Sequence, residues 1–434
     1  MSLRTIRSSF AVTLCLLLAA ISHAQELLVA PENGTGVWQP GTIRWTVQIK
    51  GADVSEATYV VKKGGMSELA KGKAVLTDGK GQIESKLDEP GWLLVEVSVK
   101  AGDKTLKMNG GALVSPEKIQ PAIPRPDDFD AFWQAKLKDL AAIPANPKLE
   151  AGESGKPNVD YSKITMDNIR GSHIRGQIAR PRQGEKLPAM LIVQWAGVYG
   201  LPREWVTGRA AEGWLVLNIN AHDLPIDEPE QFYKDQTAGP LNNYPAIGND
   251  DRETSYFLRM YLSCYRAAQY LAERPDWDGK TLVVTGGSQG GLQSFVTAGL
   301  HPKITAVMAD VPAGCDMHGV TAGRLPGWPM WYWATRDKDE AKVRDAARYY
   351  DVVNFASNIK CPVLVGVGLI DTTCPSPGVF AACNQLKGPK EVVVLPVAEH
   401  GEKKGSHGPY YGRFNAWRES LVKGQPAPVK QGAI

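Results

Sequence analysis

From Gln25 to about Val114 apolar and polar residues alternate with a period of two. In TIRWTVQIK, Ile43, Trp45, Val47 and Ile49 fall on one face and Thr42, Arg44, Thr46, Gln48 and Lys50 on the other; in LVEVSVK, Val95, Val97 and Val99 alternate with Glu96, Ser98 and Lys100. Turn pairs at Asn33-Gly34, Pro40-Gly41 and Asp78-Gly79 separate such runs, a pattern that predicts a small all-β sandwich of Ig-like type over residues 25–114. Asn33-Gly34-Thr35 also spells a glycosylation sequon, although a turn is its commoner meaning. Four prolines between Pro116 and Pro126 mark residues 115–126 as a linker. Phe129, Phe132, Trp133 and Leu137 then recur at helical spacing, with Asp127 as the expected N-cap. Beyond Lys148 the runs LPAMLIVQW, GWLVLNIN, TLVVTG, CPVLVGVGLID and EVVVLPVAEH are continuously apolar, and Phe257, Tyr261, Cys264, Ala268 and Leu271 keep a helical period among them. Strands apolar on both faces and interleaved with helices predict an α/β domain over residues 127–423 with a mostly parallel sheet covered on both sides. The tail, residues 424–434, reads as disordered.

At the amino end Arg4 and Arg7 precede an apolar run from Phe10 to Ile21, followed by Ser22-His23-Ala24. That order reads as a secretory signal over residues 1–24, with an apolar core short for a membrane span. The expectation is a secreted or periplasmic protein with no integral membrane span once the signal is removed. A formal charge of +3 over 434 residues, without basic clusters, gives no footprint for nucleic acid. After Cys15 the cysteines are Cys264, Cys315, Cys361, Cys374 and Cys383, odd in number and without a C-x-x-C pair, which argues against a disulfide scaffold and a zinc ribbon. The histidines form neither H-E-x-x-H nor H-x-H, so no metal is expected.

The chemistry concentrates in KTLVVTGGSQGGLQSF. Gly286-Gly287-Ser288-Gln289-Gly290 is G-x-S-x-G at a strand-to-helix junction, where a sharp turn lifts a serine hydroxyl above the sheet and needs small residues two before and two after it. The helix N-terminus that follows supplies N–H groups and a positive dipole end. A glycine-rich phosphate loop is the rival meaning, but the lysine of a P-loop is missing. A serine needs a histidine to take its proton and a carboxylate to orient that histidine, in chain order Ser, acid, His. CPVLVGVGLI ends at Asp371, and EVVVLPV is followed by Glu399-His400. His407 in the same glycine-rich loop is a rival base; Asp310 and Asp316 after ITAVMAD read as structural partners or pocket residues, and Glu399 as solvated.

Several strings together, VTGGSQGG, ADVPAGCD, YDVVNFASNIKCPVLVGVGLIDTTCPS, VFAACNQLKGPKEVVVLP and RPDDFDAFWQAKL, resemble the acetyl xylan esterase and cephalosporin C deacetylase family of carbohydrate esterases, from about Arg125 to Glu419. The resemblance implies an α/β-hydrolase fold, acetylated oligo- or polysaccharide as substrate, no cofactor and a homo-oligomer. It also implies Ser288 as nucleophile, Asp371 as acid and His400 as base, with the N–H groups of Gln289 and Val198 as oxyanion donors. Two departures stand out. The family's R-G-Q motif is absent at Asn220-Ala221-His222, the RGQ at Arg175 to Gln177 being too early in the chain, and its H-E pair is His400-Gly401 here. Trp195, Tyr199 and Trp331, with Trp328, Tyr332 and Trp333 in GWPMWYW, are candidates for a substrate pocket or for core packing. Two other readings share these features: a serine peptidase of the prolyl-oligopeptidase type, and an inactive carbohydrate-binding protein.

Overall fold

The structure, a computed structural model, describes residues 25–430. The expected signal over residues 1–24 lies outside the described residues, as do residues 431–434. Eight strands form the first domain: β1 (Glu26–Pro31), β2 (Val37–Trp38), β3 (Gly41–Lys50), β4 (Glu56–Lys63), β5 (Ser67–Val75), β6 (Lys80–Leu87), β7 (Gly91–Ala101) and β8 (Lys104–Val114). They make two sheets, β1-β3-β6 and β2-β8-β7-β4-β5. The alternation in the sequence decides which face is hidden: Ile43, Trp45, Val47 and Ile49 of β3 and Val95, Val97 and Val99 of β7 are buried in one cluster between the sheets. Asp78 and Gly79, at φ 52° and 71°, turn the chain from β5 to β6. Asn33 closes its own turn, its side-chain oxygen accepting from the Gly36 N–H at 2.9 Å and its amide donating to the Val37 carbonyl at 2.7 Å.

The proline-rich segment is pinned along its length. Asn384 donates to the carbonyls of Pro116 (2.8 Å) and Ile119 (2.9 Å), and the Ala122 N–H donates to Asp316 at 2.8 Å. Helix α1 (Phe129–Ala141) starts one residue later than an Asp127 cap implies, and Asp128 at its cap position makes no capping bond. The Asp128 carboxylate accepts instead from Arg252 and Tyr349, stronger charged and phenolic partners than a backbone amide.

The second domain is built on nine strands: β9 (Lys148–Gly152), β10 (Val159–Asp167), β11 (His173–Pro181), β12 (Leu187–Val193), β13 (Leu215–Ile219), β14 (Trp277–Gly287), β15 (Ala306–Asp310), β16 (Val363–Gly368) and β17 (Lys390–Leu395). Their order is β17-β16-β15-β14-β12-β13-β11-β10-β9, with every pair from β13 to β17 parallel and β9, β10 and β11 antiparallel. Every residue of β13, β15 and β16 is buried, as continuous apolar runs require when both faces are covered. One face packs against α1, α4 (Tyr256–Glu273), α5 (Gln289–Leu300), α7 (Val352–Ala356) and α8 (Ser376–Cys383), the other against α2 (Glu204–Ala211) and α9 (Gly408–Val422). Two further helices, α3 (Glu230–Ala238) and α6 (Glu340–Ala347), lie in the loops after β13 and β15. This is the α/β-hydrolase arrangement.

Through residue 430 the tail is not disordered. The Glu391 carboxylate, buried in β17, needs partners and takes them from Arg413, from Trp417 (3.1 Å) and from the Lys430 N–H (3.0 Å), which draws the chain end back onto the sheet.

The two domains share a core. Trp92, Leu94 and Leu113 of the sandwich belong to the main hydrophobic cluster of the hydrolase domain. The Trp92 ring, 1% exposed, donates from Nε1 to the Leu369 carbonyl at 3.0 Å, at the end of β16. Nearby, the Leu325 N–H donates to the Gly64 carbonyl at 2.8 Å.

Candidate active site

Ser288 stands between β14 and α5 at φ 55° and ψ −121°, a region side chains rarely occupy. The flanking glycines explain how the turn is tolerated: a Cβ on Gly286 would lie 2.7 Å from the Gly290 backbone, and one on Gly290 would lie 2.6 Å from the Val193 carbonyl. The Ser288 N–H donates to the Asp310 carbonyl at 2.9 Å, which ties the turn to β15.

The strand ends bring the three expected residues together. His400, in the loop after β17, places Nε2 2.9 Å from Ser288 Oγ and Nδ1 2.8 Å from Asp371 Oδ2. Asp371, just beyond β16 and fully buried, also accepts at Oδ1 from the Thr373 and Cys374 N–H groups, each at 2.8 Å. Those bonds compensate a buried carboxylate and leave the other oxygen aimed at the imidazole. The rivals are elsewhere. His407 is 2% exposed and bound at Nδ1 to Asp310 (2.9 Å) and at Nε2 to the Glu399 carbonyl (3.1 Å), so it braces the loop carrying His400. Asp316 is buried and paired with Arg324 at 2.6 Å, and Glu399 pairs with Lys403 on the surface.

Cys374 completes a cluster with Asp371 and His400 whose donor atoms lie within 4.8 Å of one another. Two of these are already bonded to each other, and burial pushes the Cys374 thiol well up, so the set is a hydrogen-bonded acid and base beside a neutral thiol. The five cysteines of the described residues are free thiols.

The two expected oxyanion donors lie on different elements. Gln289 is the first residue of α5, where N–H groups have no partner within the helix, and Val198 lies in the loop after β12. Side chains tie the two loops together: Gln194 accepts at its carbonyl from Gln293 (2.7 Å), its own amide donates to the Tyr199 carbonyl (3.1 Å), and Tyr244 donates to the Gln289 side chain. Gln194, Tyr244 and the buried His222 do not appear among the sequence-based candidates. Asn218, Asn220 and His222 alternate as polar residues at the end of the buried NINAH run, and that is the signal that marks one of them.

Trp195, 48% exposed, stacks on Tyr199 with centroids 5.3 Å apart and meets Trp205 at 4.8 Å. Of these rings Tyr199 lines an open groove of about 790 Å³, together with Val198, Leu201, Ile226 and Tyr233. Trp331 is not part of any such wall: it is 1% exposed, packed at 5.0 Å on Phe257 and 5.9 Å on Tyr350, and its large ring fills the core. Trp333, two residues on, is the exposed member of that run.

Comparison with known proteins agrees with this geometry. Residues 113–411 match the acetyl xylan esterase (AXE1) family. The acetyl esterase Axe7A of Xylanibacter ruminicola is 34% identical over 350 residues, which cover 80% of this chain and 79% of that protein. Residues 113–434 alone do not reach that share, so the likeness takes in part of the sandwich. Among solved structures, the acetyl xylan esterase from Paenibacillus sp. R4 superposes with a TM-score of 0.58 at 26% identity, covering 69% of this chain and 97% of that one. Acetyl xylan esterase 1 from Thermoanaerobacterium sp. JW/SL YS485 shares the fold, with a TM-score of 0.59 at 24% identity over 69% of this chain and 95% of its own.

Proposed function

Because the chain belongs to the acetyl xylan esterase family and is a carboxylic ester hydrolase, we propose that it removes O-acetyl groups from acetylated carbohydrate, xylan or xylo-oligosaccharides, through an acyl-enzyme on Ser288. The observation that carries this reading is the continuous hydrogen-bonded line from Ser288 Oγ through His400 to the buried Asp371. Ser288 Oγ attacks the acetyl carbonyl carbon while its proton passes to His400 Nε2, and Asp371 steadies the imidazolium that forms. The carbonyl oxygen, now negative, accepts from the Val198 and Gln289 N–H groups. The C–O bond to the sugar breaks, the sugar oxygen takes the proton from His400, and acetyl-Ser288 remains. Water, deprotonated by His400, attacks that ester; the bond to Ser288 breaks, His400 returns the proton to Oγ, and acetate leaves. Trp195 and Tyr199 offer flat faces on which a sugar ring can stack. Export from the cell is part of the same reading, since a polymeric substrate does not cross a membrane.

Acetate release from acetylated xylan and from 4-nitrophenyl acetate, by the wild type and by Ser288→Ala, tests it. We expect release from both and a loss of kcat of at least about 10⁴-fold in the variant. No release by the wild type sinks the reading, and cleavage of a peptide library with acetyl esters untouched points to the peptidase instead.

A further inference from the structure

The loop that carries Val198 has an unusual hold on it. Gly197 sits at φ 122°, where the backbone has no side chain to fix it, and the peptide that follows joins the Gly197 carbonyl to the Val198 N–H. Because a peptide unit is planar, whatever fixes the carbonyl direction fixes the N–H direction as well. The Gly197 carbonyl lies 3.0 Å from Nε2 of His222, a ring 1% exposed at the end of the neighbouring strand β13. The other ring nitrogen, Nδ1, lies 2.7 Å from the Tyr256 hydroxyl, and that hydroxyl accepts from Arg259 at 2.8 Å.

For a neutral imidazole these partners admit one arrangement of protons. A carbonyl only accepts, so His222 Nε2 carries the hydrogen; the Arg259 guanidinium only donates, so the Tyr256 hydroxyl hydrogen is free to point at Nδ1. The line therefore runs in one direction, from Arg259 to Tyr256 to His222 to the Gly197 carbonyl, with a single proton on the imidazole. Burial, aided by the Arg259 charge and opposed by the bond to Gly197, lowers the His222 pKa to about 4, so the neutral ring this line needs is the form present at ordinary pH. On the other side of the same residue, the Gly197 N–H approaches the Tyr244 hydroxyl at 3.4 Å, and Tyr244 in turn donates to the side chain of Gln289, the second oxyanion donor. The Tyr244 ring stands edge-on to His222 with centroids 4.7 Å apart.

We propose that His222 is a positioning residue of the oxyanion hole: its Nε2–H holds the Gly197–Val198 peptide so that the Val198 N–H points at the developing negative charge. Nothing in the reaction passes through the imidazole itself. The R-G-Q motif that the family places near Asn220-Ala221-His222 is absent, and at this spot the chain carries a tautomer-locked histidine instead. The inference rests on the esterase reading above, in which the Val198 N–H receives the oxyanion.

A positioning role predicts that the transition state is destabilised while ground-state binding stays put. On 4-nitrophenyl acetate, we expect His222→Ala in the full chain to lose kcat by roughly 10- to 100-fold, less than deletion of a whole oxyanion donor, with KM within about twofold. An alkyl boronic acid, which forms a tetrahedral anion on the serine, should bind more weakly by a similar factor. His222→Gln, whose amide hydrogen can reach the same carbonyl, should recover most of kcat and of boronate affinity. Tyr256→Phe, which frees Nδ1 and with it the choice of tautomer, should show a smaller loss of the same kind. A folded His222→Ala with wild-type kcat overturns the proposal, as does a fall in kcat that leaves boronate affinity unchanged. If His222→Ala does not fold, a folded Tyr256→Phe enzyme with wild-type kcat and boronate affinity overturns it equally. A wild type inactive on acetyl esters defeats the esterase reading itself, whereas an active wild type matched by a folded His222→Ala variant defeats this inference alone.

Discussion

His400 and His407 are the same side chain seven positions apart, and their surroundings give them opposite duties. One nitrogen of His400 faces a hydroxyl that can give up a proton, so the ring is able to exchange one. Both nitrogens of His407 face acceptors, the Asp310 carboxylate and the Glu399 carbonyl, a pairing that only the doubly protonated imidazolium satisfies. Burial works against that charge, but the hydrogen bond and charge of Asp310, the Glu399 carbonyl and nearby Glu402 outweigh it, so the pKa of His407 is raised; Tyr411 stacks at 6.4 Å. A folded-state pKa above the unfolded one means stabilisation that is complete below roughly pH 6.5 and is lost as pH rises through the folded value. His407→Gln should therefore lower stability by about 1–3 kcal/mol near pH 6 and by progressively less toward pH 9, read from denaturant midpoints. A pH-independent difference would refute the imidazolium. At this scale the sequence is legible where chemistry and local turn coincide: Ser288, Asp371 and His400 each follow an apolar run, and the glycines announce the first. His222 is illegible, because its meaning comes from Gly197 in the loop after β12 and from Tyr256 on a helix. Trp331 misleads because an aromatic-rich run looks alike whether its rings turn inward or outward.

Among the elements, the loop after β16 matters most, since it carries Asp371, the proposed acid. It is fixed on three sides: the Leu369 N–H donates to Leu395 (3.1 Å), the Ile370 N–H to Ala398 (3.2 Å), and the Leu369 carbonyl accepts from Trp92. The first two bonds join the acid loop to the end of β17 and to the base loop after it, and the third comes from the other domain. Trp92→Phe removes the donor and shrinks the ring, leaving a buried carbonyl without its partner and a cavity beside it. A loss of about 1–3 kcal/mol is expected, as a shifted urea midpoint at constant slope, with a smaller fall in kcat as Asp371 loosens. An unchanged midpoint would show that the bond contributes nothing net. Periodicity located β3, β7 and the parallel strands well because burial repeats along them. The capping position of α1 escaped it, since Asp128 is claimed by Arg252 and Tyr349, which are distant in sequence.

For the molecule as a whole, the sandwich is a structural part of the hydrolase rather than an appendage. Removing residues 25–114 strips Trp92, Leu94 and Leu113 from the shared core and bares the apolar surface they cover. A chain starting at residue 115 should be poorly soluble and should melt well below the full protein; a soluble fragment with undiminished kcat would refute this. The proline-rich run resembles a spacer in composition, but it is held at the Pro116 and Ile119 carbonyls and the Ala122 N–H by Asn384 and Asp316, far along the chain.

The bond from Trp92 to Leu369 spans 277 residues and so carries a schedule as well as a force. A growing or emerging chain presents its amino end first, and domains fold in that order. On that order the sandwich precedes β16, and the loop bearing Asp371 then closes against a domain already formed. The last parts of the triad to arrive, the acid and then the base, are shaped by the domain that was made first.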